Sequence, residues 1–299
     1  MAKIKIFYWN RDIEDVAKEL KKEHQLVENW EDADIIVVWN EIKRGGWLDI
    51  ILEAQKQGKK VVLYQQGIWG IDRVQPPFNE KIHADKICVW GEGDRERLEK
   101  YGVNKKKIFV CGSPIFKHLK PKELHEGKNV VFALEHWDTT EIPENLIVAS
   151  ELRKLEGVNV ITKALKGEHQ LELYDNVIAT SRNEENHLEV VANLLAKTDL
   201  VVAISESTFA LLAEAMDIPV IIANIWIPKE RAGEKTYLNY RHPFTDAVTK
   251  VGIKNLNKEI LWQLKNPEIK KEERKKQAIR NGGIDIKNPV QNIIDVILK

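Results

Sequence analysis

The sequence contains only two cysteines, carries no net charge and has no long apolar run. Cys88 and Cys111 both lie in apolar, strand-like segments, so we expect buried thiols and neither a disulfide framework nor a cysteine metal site. Basic and acidic residues number 46 each, so no overall field would attract nucleic acid or an anionic membrane. No apolar stretch approaches the length that spans a bilayer.

Several catalytic signatures are also missing. There is no GxxxxGK(S/T) phosphate loop, no GxGxxG after the first strand, no HExxH and no Gly-x-Ser-x-Gly. These absences argue against P-loop nucleotide hydrolases, zinc proteases and serine hydrolases. The first predicted strand begins at Ile4, which leaves no room for a signal peptide, so we expect a cytoplasmic protein.

Strand and helix patterns alternate along the whole chain. Short apolar, β-branched runs predict strands, and apolar residues spaced three and four apart predict helices. This alternation predicts an α/β fold with parallel, doubly wound sheets. The predicted strands are Ile4–Trp9, Ile35–Trp39, Val61–Tyr64, Ile87–Trp90, Ile108–Cys111, Val130–Leu134, Val158–Thr162, Val177–Ala179, Asp199–Ile204 and Val220–Ala223.

The length of 299 residues predicts two domains. The segment 116–128 contains proline, glycine and several charges without a clear period, which is typical of a linker. We therefore predict an N-terminal domain over residues 1–115 and a C-terminal domain over 129–299. The latter ends in a charge-rich helix, Lys270–Arg280, a Gly-Gly turn and a final amphipathic helix.

The stretch from Leu194 to Trp226 is the most informative part of the chain. A buried strand ends in Ser205-Glu206-Ser207-Thr208, a helix follows through Glu214, and a second apolar strand comes next. Helix N-termini present unpaired N–H groups and a partial positive charge, so hydroxyls and amides there can hold a phosphate. Glu214 falls about two turns into the helix, within reach of a ribose. The alternative is an ordinary turn in which Ser205 or Ser207 caps the helix.

This segment, with Ala213-Glu214-Ala215 and Ile218-Pro219-Val220-Ile221, resembles the donor site of GT-B-fold glycosyltransferases. UDP-GlcNAc 2-epimerases and the capsule- and CDP-glycerol-type polymer transferases share it. A second resemblance lies in Ala84–Glu92 and Lys107–Pro114, which are similar to the end of the N-terminal domain in this superfamily. The resemblance implies two Rossmann-like domains that face a cleft, with the acceptor on the first and the nucleotide sugar on the second. In such enzymes the last helices often cross back onto the N-terminal domain.

The loop Gln65-Gln66-Gly67-Ile68-Trp69 resembles the Gln-His-Gly loop of the polymer transferases, with Gln66 in place of histidine. The epimerases have a catalytic glutamate in this loop, and its absence here argues against epimerisation, which needs acids to move a proton. Gly67 allows close approach of a ligand, and Trp69 offers a face for a sugar ring. The alternative is a tight turn with Trp69 packed over the sheet.

Other polar residues follow predicted strands. The resemblance makes His136 a loose counterpart of an epimerase histidine and places Lys163 where the polymer transferases have Lys-x-His-Pro. A lysine there would neutralise donor phosphate. Asn10 and Glu41 end the first strands and would face the acceptor, with Glu41 as a possible general base. For each of these residues, a solvated or locally hydrogen-bonded side chain is the alternative.

Together these observations predict a glycosyltransferase that moves a sugar from a nucleotide-sugar donor to a glycan or other hydroxyl acceptor. The other major glycosyltransferase fold binds a metal through an Asp-x-Asp motif. Here Asp32-Ala33-Asp34 precedes a strand instead of following one, so it is not in a suitable context. We therefore expect a reaction without a metal and without a cofactor. The predicted catalytic residues are Glu41, Gln66 and His136. The alternatives are a 2-epimerase-like enzyme, an inactive sugar-nucleotide-binding module and a nucleic-acid base glycosyltransferase, and the zero net charge argues against the last.

Overall fold

The computed structural model describes residues 1–7, 13–39, 46–67, 82–134, 143–167, 171–181, 184–204, 207–225 and 246–299. The chain divides into two compact units. Unit 1 consists of Met1–Phe116 and Ile279–Lys299, and unit 2 consists of Lys117–Ala278. Within the described ranges, no helix is both long enough and apolar enough to cross a membrane.

Unit 1 contains a six-stranded sheet in the order β2-β1-β3-β4-β5-β6, and every neighbouring pair is parallel. Its strands are β1 Lys3–Ile6, β2 Gln25–Leu26, β3 Ile35–Val38, β4 Lys60–Tyr64, β5 Lys86–Val89 and β6 Ile108–Val110. Its helices are α1 Glu14–Leu20, α2 Trp47–Lys56 and α3 Glu92–Lys100, together with the C-terminal Pro289–Leu298, numbered α9 below.

Alternate residues of the unit 1 strands divide between two hydrophobic cores. On β3, Ile35 and Val37 pack in one core with α1 and α9, whereas Ile36 and Val38 pack in the other with Ile51 of α2. Because strand side chains alternate between faces, a run of β-branched residues covered on both sides is what a doubly wound sheet requires.

Unit 2 contains a second six-stranded parallel sheet, in the order β12-β11-β10-β7-β8-β9. Its strands are β7 Asn129–Ala133, β8 Asn159–Leu165, β9 Val177–Thr180, β10 Leu200–Ala203, β11 Val220–Asn224 and β12 Thr249–Gly252. Its helices are α4 Pro143–Leu152, α5 His187–Ala196, α6 Thr208–Ala215, α7 Leu256–Lys265 and α8 Lys271–Gln277.

One face of the unit 2 sheet is covered by α4 and α7, with Phe132, Leu152 and Ile260 in a shared core. The other face carries α6, which packs on β10 and β11. The predicted α/β class with two Rossmann-like sheets is therefore confirmed, and each predicted strand has a counterpart among the described residues.

The division of the chain differs from the predicted one at its C-terminal end. The chain leaves unit 1 after Phe116, at the start of the predicted linker, but residues 117–128 belong to unit 2. Residues 279–299, predicted as part of the 129–299 domain, belong to unit 1. The physical reason is the apolar stripe of α9, whose Ile293 and Ile297 complete the core beside α1.

One local prediction also needs correction, and the sequence patterns missed some elements. The predicted helix Lys270–Arg280 is shorter, since α8 ends at Gln277 and a π-helical turn, Ala278–Gly282, follows it. The sequence patterns also missed β12, whose residues are only half covered, and α7.

Candidate functional site

The carboxyl ends of the unit 2 strands bring together several residues that the sequence singles out. In a parallel sheet these ends lie along one edge, where turns and helix N-termini form ligand sites. β10 ends at Ala203, and α6 begins at Thr208 directly after Ser207. The Ser207 hydroxyl oxygen accepts a hydrogen bond from the Ala210 N–H at 3.4 Å. Ser207 is therefore an N-cap residue, and its O–H group retains the capacity to donate.

The first turn of α6 has the electrostatic character of an anion site. It contains no acidic residue, and Thr208 is half-buried within it. The first N–H groups of a helix have no partner inside the helix and carry a partial positive charge. A phosphate group is the ligand that such a helix start favours.

Lys163 lies near this helix start because of the register of three strands. On β8 it pairs with Ala133 of β7, which in turn pairs with Ala203 of β10, so the three side chains point to one face of the sheet. The two alanines have short side chains and are buried. The Lys163 Nζ atom lies 5.8 Å from the ring centroid of Phe209, within the range of a cation–π contact.

Phe209 is a member of this site that the sequence analysis missed. It is buried and follows Thr208 in the first turn of α6. An aromatic residue next to a Ser/Thr cluster at a helix start is the signal that could have identified it. Its ring gives the half-buried Lys163 ammonium a fixed neighbour close to the helix N-terminus.

Glu214 lies near the end of α6 and is only 1% exposed. It lies seven positions after Ser207, which is about two helical turns, so both lie on the same side of α6. The helix there packs on β10, β11 and α8. Burial of a carboxylate is costly unless the group is paired. A buried glutamate at this position therefore differs from an ordinary solvated residue on a helix surface.

A second polar group, also missed by the sequence analysis, follows β8 and β9 at the same edge. Glu184 forms an ion pair with Lys166, and its carboxylate also accepts hydrogen bonds from the Thr180 hydroxyl and the Ser181 N–H, both at 3.3 Å. The Thr180 Oγ1 atom lies 3.2 Å from Nδ1 of His187. The hydrogen bond from Lys166 lowers the pKa of Glu184. The signal that could have identified it is the Thr-Ser turn before α5.

In unit 1 the carboxyl edge of the sheet is organised by Gln65. This side chain is 1% exposed, and its Oε1 accepts a hydrogen bond from the Trp90 N–H at 2.7 Å. Its Nε2 donates to Asp94 Oδ2 at 3.0 Å and to the Gly67 carbonyl at 3.2 Å. The sequence predicts that Gln65 contacts an acceptor. In the structure its amide group is instead hydrogen-bonded to protein atoms.

The network continues through α3. Arg97 forms an ion pair with Asp94, which is 1% exposed, and donates from Nη1 to Asn281 Oδ1 at 3.1 Å. Burial raises the pKa of Asp94, while Arg97 and the hydrogen bond from Gln65 act in the opposite direction. Both carboxylate oxygens accept hydrogen bonds from neighbouring donors, an arrangement that fits the ionised form.

Gln66 and Gly67 follow Gln65 at this edge. Gln66 is half-buried, and its Oε1 has no hydrogen-bond partner, a status that within the described ranges only a few buried side-chain atoms share. Gly67 adopts a positive φ of 72°, which a side chain would disfavour. The loop therefore turns at Gly67 and retains one unused acceptor atom on Gln66.

The remaining predicted site residues lie outside the described ranges, and their roles stay predictions. These residues are Asn10, Glu41, Trp69, His136, Ser205 and Glu206.

The two cysteines are free and buried, as the sequence predicts. A hydrogen bond with Cys111, together with burial, raises the pKa of the Cys88 thiol. Both lie in the unit 1 core beside α9, where they act as apolar packing groups.

Comparison with solved structures identifies proteins with the same fold. A proposed UDP-N-acetylglucosamine 2-epimerase from Listeria monocytogenes matches with a TM-score of 0.66 and 14% identity over 99% of this chain and 95% of that one. UDP-GlcNAc 2-epimerase from Neisseria meningitidis, bound to UDP-GlcNAc, matches with a TM-score of 0.59 and 12% identity over 100% of each chain.

A variant of the wall teichoic acid polymerase TagF soaked with CDPG matches with a TM-score of 0.61 and 13% identity over 99% of this chain and 88% of that one. A scan against protein-family models gives no match, and a sequence search among curated proteins gives none. At this level of identity the comparisons establish the fold: the chain has the two-sheet GT-B architecture of the UDP-GlcNAc 2-epimerases and TagF.

Proposed function

We propose that this chain is a glycosyltransferase that uses a nucleotide-activated sugar held at the carboxyl edge of unit 2. The observation that carries the proposal is the position of Lys163 beside the N-terminal turn of α6. Two alanines on the neighbouring strands share its face of the sheet, and its Nζ atom lies 5.8 Å from the Phe209 ring centroid. A cation held beside the N–H groups at the start of a helix is suited to a diphosphate. A protein of the same fold, from Neisseria meningitidis, binds UDP-GlcNAc, which supports a nucleotide sugar as the ligand class.

Each part of the donor has a proposed partner in unit 2. The diphosphate is held by Lys163 and by N–H and hydroxyl groups of Ser207 and Thr208, with Ser205 and Glu206 in the preceding turn. The Glu214 carboxylate accepts hydrogen bonds from the ribose hydroxyls. In this assignment the charge that develops on the leaving diphosphate is stabilised by groups that are already in position.

The proposed transfer moves one sugar from phosphate to a hydroxyl oxygen. A base takes the proton from the acceptor hydroxyl, and its oxygen forms a bond to the anomeric carbon. The bond from that carbon to the diphosphate breaks, and the electron pair leaves with the nucleoside diphosphate. Glu41 and His136 are the proposed bases, since Gln66 carries a neutral amide that can orient a hydroxyl but not take its proton. Asn10, Gly67 and Trp69 complete the proposed acceptor side.

A 2-epimerase-like activity is the second candidate, because two of the structures described above carry that description. Epimerisation needs acids and bases that move the proton at C2 of the sugar, and the loop at Gln66 carries none among the described residues. An inactive sugar-nucleotide-binding module is the third. The three candidates differ in what they do to a donor offered alone or with an acceptor.

A thermal-shift screen against UDP-, GDP-, CDP- and CMP-sugars tests the proposal first. We expect the matching nucleotide sugar to raise the melting temperature, both with excess EDTA and with Mg²⁺, because Lys163 and α6 supply the positive charge. Isomerisation of the donor without an acceptor would favour the epimerase, and binding without nucleotide release from any acceptor would favour the inactive module. No shift with any of the four classes, or a shift only with Mg²⁺, would contradict the proposed site.

A further inference from the structure

Gln65 and Gln66 are neighbours in sequence with the same side chain, yet the structure uses them in opposite ways. All the hydrogen bonds of Gln65 described above are internal, and they join Trp90, which directly follows β5, to the loop at Gly67. The Oε1 atom of Gln66 has no hydrogen-bond partner within the described part of the chain. A buried or half-buried acceptor without a partner is costly, and such atoms in native proteins usually have a ligand, a water or a functional role.

The Gln65 side chain is itself held by Asp94. Gln65 Nε2 donates to Asp94 Oδ2 at 3.0 Å, and the other carboxylate oxygen accepts from Arg97. Both Gln65 and Asp94 are 1% exposed, so water does not compete for these bonds. Removing one member of such a buried network leaves its partners unsatisfied, and the effect reaches the groups that those partners hold.

The C-terminal segment completes the network. Asn281 accepts from Arg97 at 3.1 Å, and it follows closely after the point where the chain returns to unit 1 at Ile279. Gly91 and Gly93 allow this approach, because a Cβ atom at Gly91 would lie 2.1 Å from the Arg280 carbonyl oxygen and one at Gly93 would lie 2.2 Å from Asn281 Oδ1. The segment is therefore placed against α3 by backbone contact as well as by the hydrogen bond.

We propose that Asp94 is a positioning residue that acts through Gln65 to fix the loop at Gln66 and Gly67, with Arg97 and Asn281 as its support. The inference rests on the proposed function in one respect, which is that Gln66 contacts the acceptor hydroxyl. Asp94 itself does not touch the substrate. Its role is to keep the loop in one conformation, so that the unused Oε1 of Gln66 is available in a constant place.

The backbone amide of Trp90 gives a direct test, because its hydrogen bond goes to the Gln65 side chain and not to a neighbouring strand. The amide of Cys111 donates to the Val89 carbonyl at 2.9 Å in the sheet ladder and serves as an internal reference. In Asp94→Asn we expect Trp90 to exchange its amide hydrogen about tenfold faster, roughly the equivalent of one lost hydrogen bond, with Cys111 unchanged. Asn281→Ala, at the far end of the network, should give a smaller change in the same direction.

Kinetics with UDP-GlcNAc as the donor probe separates positioning from mere stability. We expect Asp94→Asn to lower kcat for UDP release by roughly tenfold or more, because a misplaced Gln66 would no longer orient the acceptor. The Kd for UDP should stay at the wild-type value. The matched control is Glu96→Gln on the same helix, which removes an exposed ion pair with Arg280 and should change neither quantity. Thermal melting of each variant checks that the fold is intact.

The outcomes distinguish this inference from the proposed function. Wild-type exchange at Trp90 in Asp94→Asn would overturn the network, whatever the protein binds. Faster exchange with an unchanged kcat would show a structural role only and would equally overturn the positioning role. If the wild type binds no UDP, the proposed function fails at unit 2, and unaltered or accelerated exchange at Trp90 still decides whether Asp94 holds the loop.

Discussion

The two sheets end in edges of different chemical character. At the unit 1 edge, Gln65 and Asp94 are buried and bonded to each other, so the polar groups mainly hold the protein together. At the unit 2 edge, the ammonium group of Lys163 lies near the positive end of α6, and the neighbouring strands carry short alanine side chains. The carboxyl edge of a parallel sheet can therefore carry a closed, buried polar network or a cluster of positive charge, depending on a few side chains.

Lys163 should produce the largest change if the unit 2 edge is the nucleotide site. Lys163→Met keeps the apolar stem and removes the charge, so the affinity for UDP should fall by about 1.5–3 kcal/mol, the usual size of a hydrogen bond to a charged group. Isothermal titration calorimetry measures it. The control is Lys166→Met, which removes an exposed lysine paired with Glu184 at the same edge of the sheet. Equal losses of affinity in both variants would show a general charge effect and would contradict a specific role for Lys163.

Glu214 should produce the next largest change. Because the carboxylate is 1% exposed, Glu214→Gln is a better variant than Glu214→Ala, since it keeps the volume of the side chain. Loss of a charged acceptor for the ribose should weaken UDP binding by about 1–2 kcal/mol, in a variant that still melts cooperatively. An unchanged affinity in the folded variant would remove Glu214 from the site and leave it a role in packing α6.

The fold was largely predictable because its signals are local. Runs such as Ile35–Val38 and Leu200–Ala203 are apolar on both faces, which is the pattern typical of a parallel strand covered on both sides. The apolar stripe of α9 fits either unit, so the residues alone did not assign this helix, and the predicted boundary kept it in the C-terminal domain. The return of the last helices to the N-terminal domain in the resembled enzymes pointed to the packing beside α1 that the structure shows. β12 was missed because its side chains alternate between exposed and half-buried positions and its residues carry little apolar signal.

The candidate site was predictable in part. Ser207 and Lys163 follow from strand ends and helix starts, which sequence patterns locate. The buried hydrogen bonds of Gln65 could not be predicted. In the sequence, Asp94 and Arg97 resemble solvated residues of a charged helix, and only the structure shows that they are buried partners in this network. Phe209 was missed for a similar reason, since an aromatic residue in an apolar helix indicates packing and not a neighbour for a lysine.

The pH dependence of stability should show a smaller effect, confined to unit 1. Burial raises the pKa of Asp94 in the folded state above its unfolded value. Between these two values the folded state holds a proton that the unfolded state has released, so stability falls as the pH rises through this window. Acidification from neutral pH towards the unfolded value should therefore stabilise the wild type relative to Asp94→Asn. Urea unfolding at several pH values measures the difference, and a difference that shrinks on acidification would contradict the expected sign.

Amide hydrogen exchange of the wild type, with and without UDP, measures directly whether the nucleotide binds at the edge where Lys163 lies beside the first turn of α6. We predict that saturating UDP slows exchange at Thr208 and Phe209, whose N–H groups lie at the helix start, and leaves Trp90 in unit 1 unchanged. Protection at Trp90 with none at Thr208 and Phe209 would contradict a nucleotide site at this edge of unit 2.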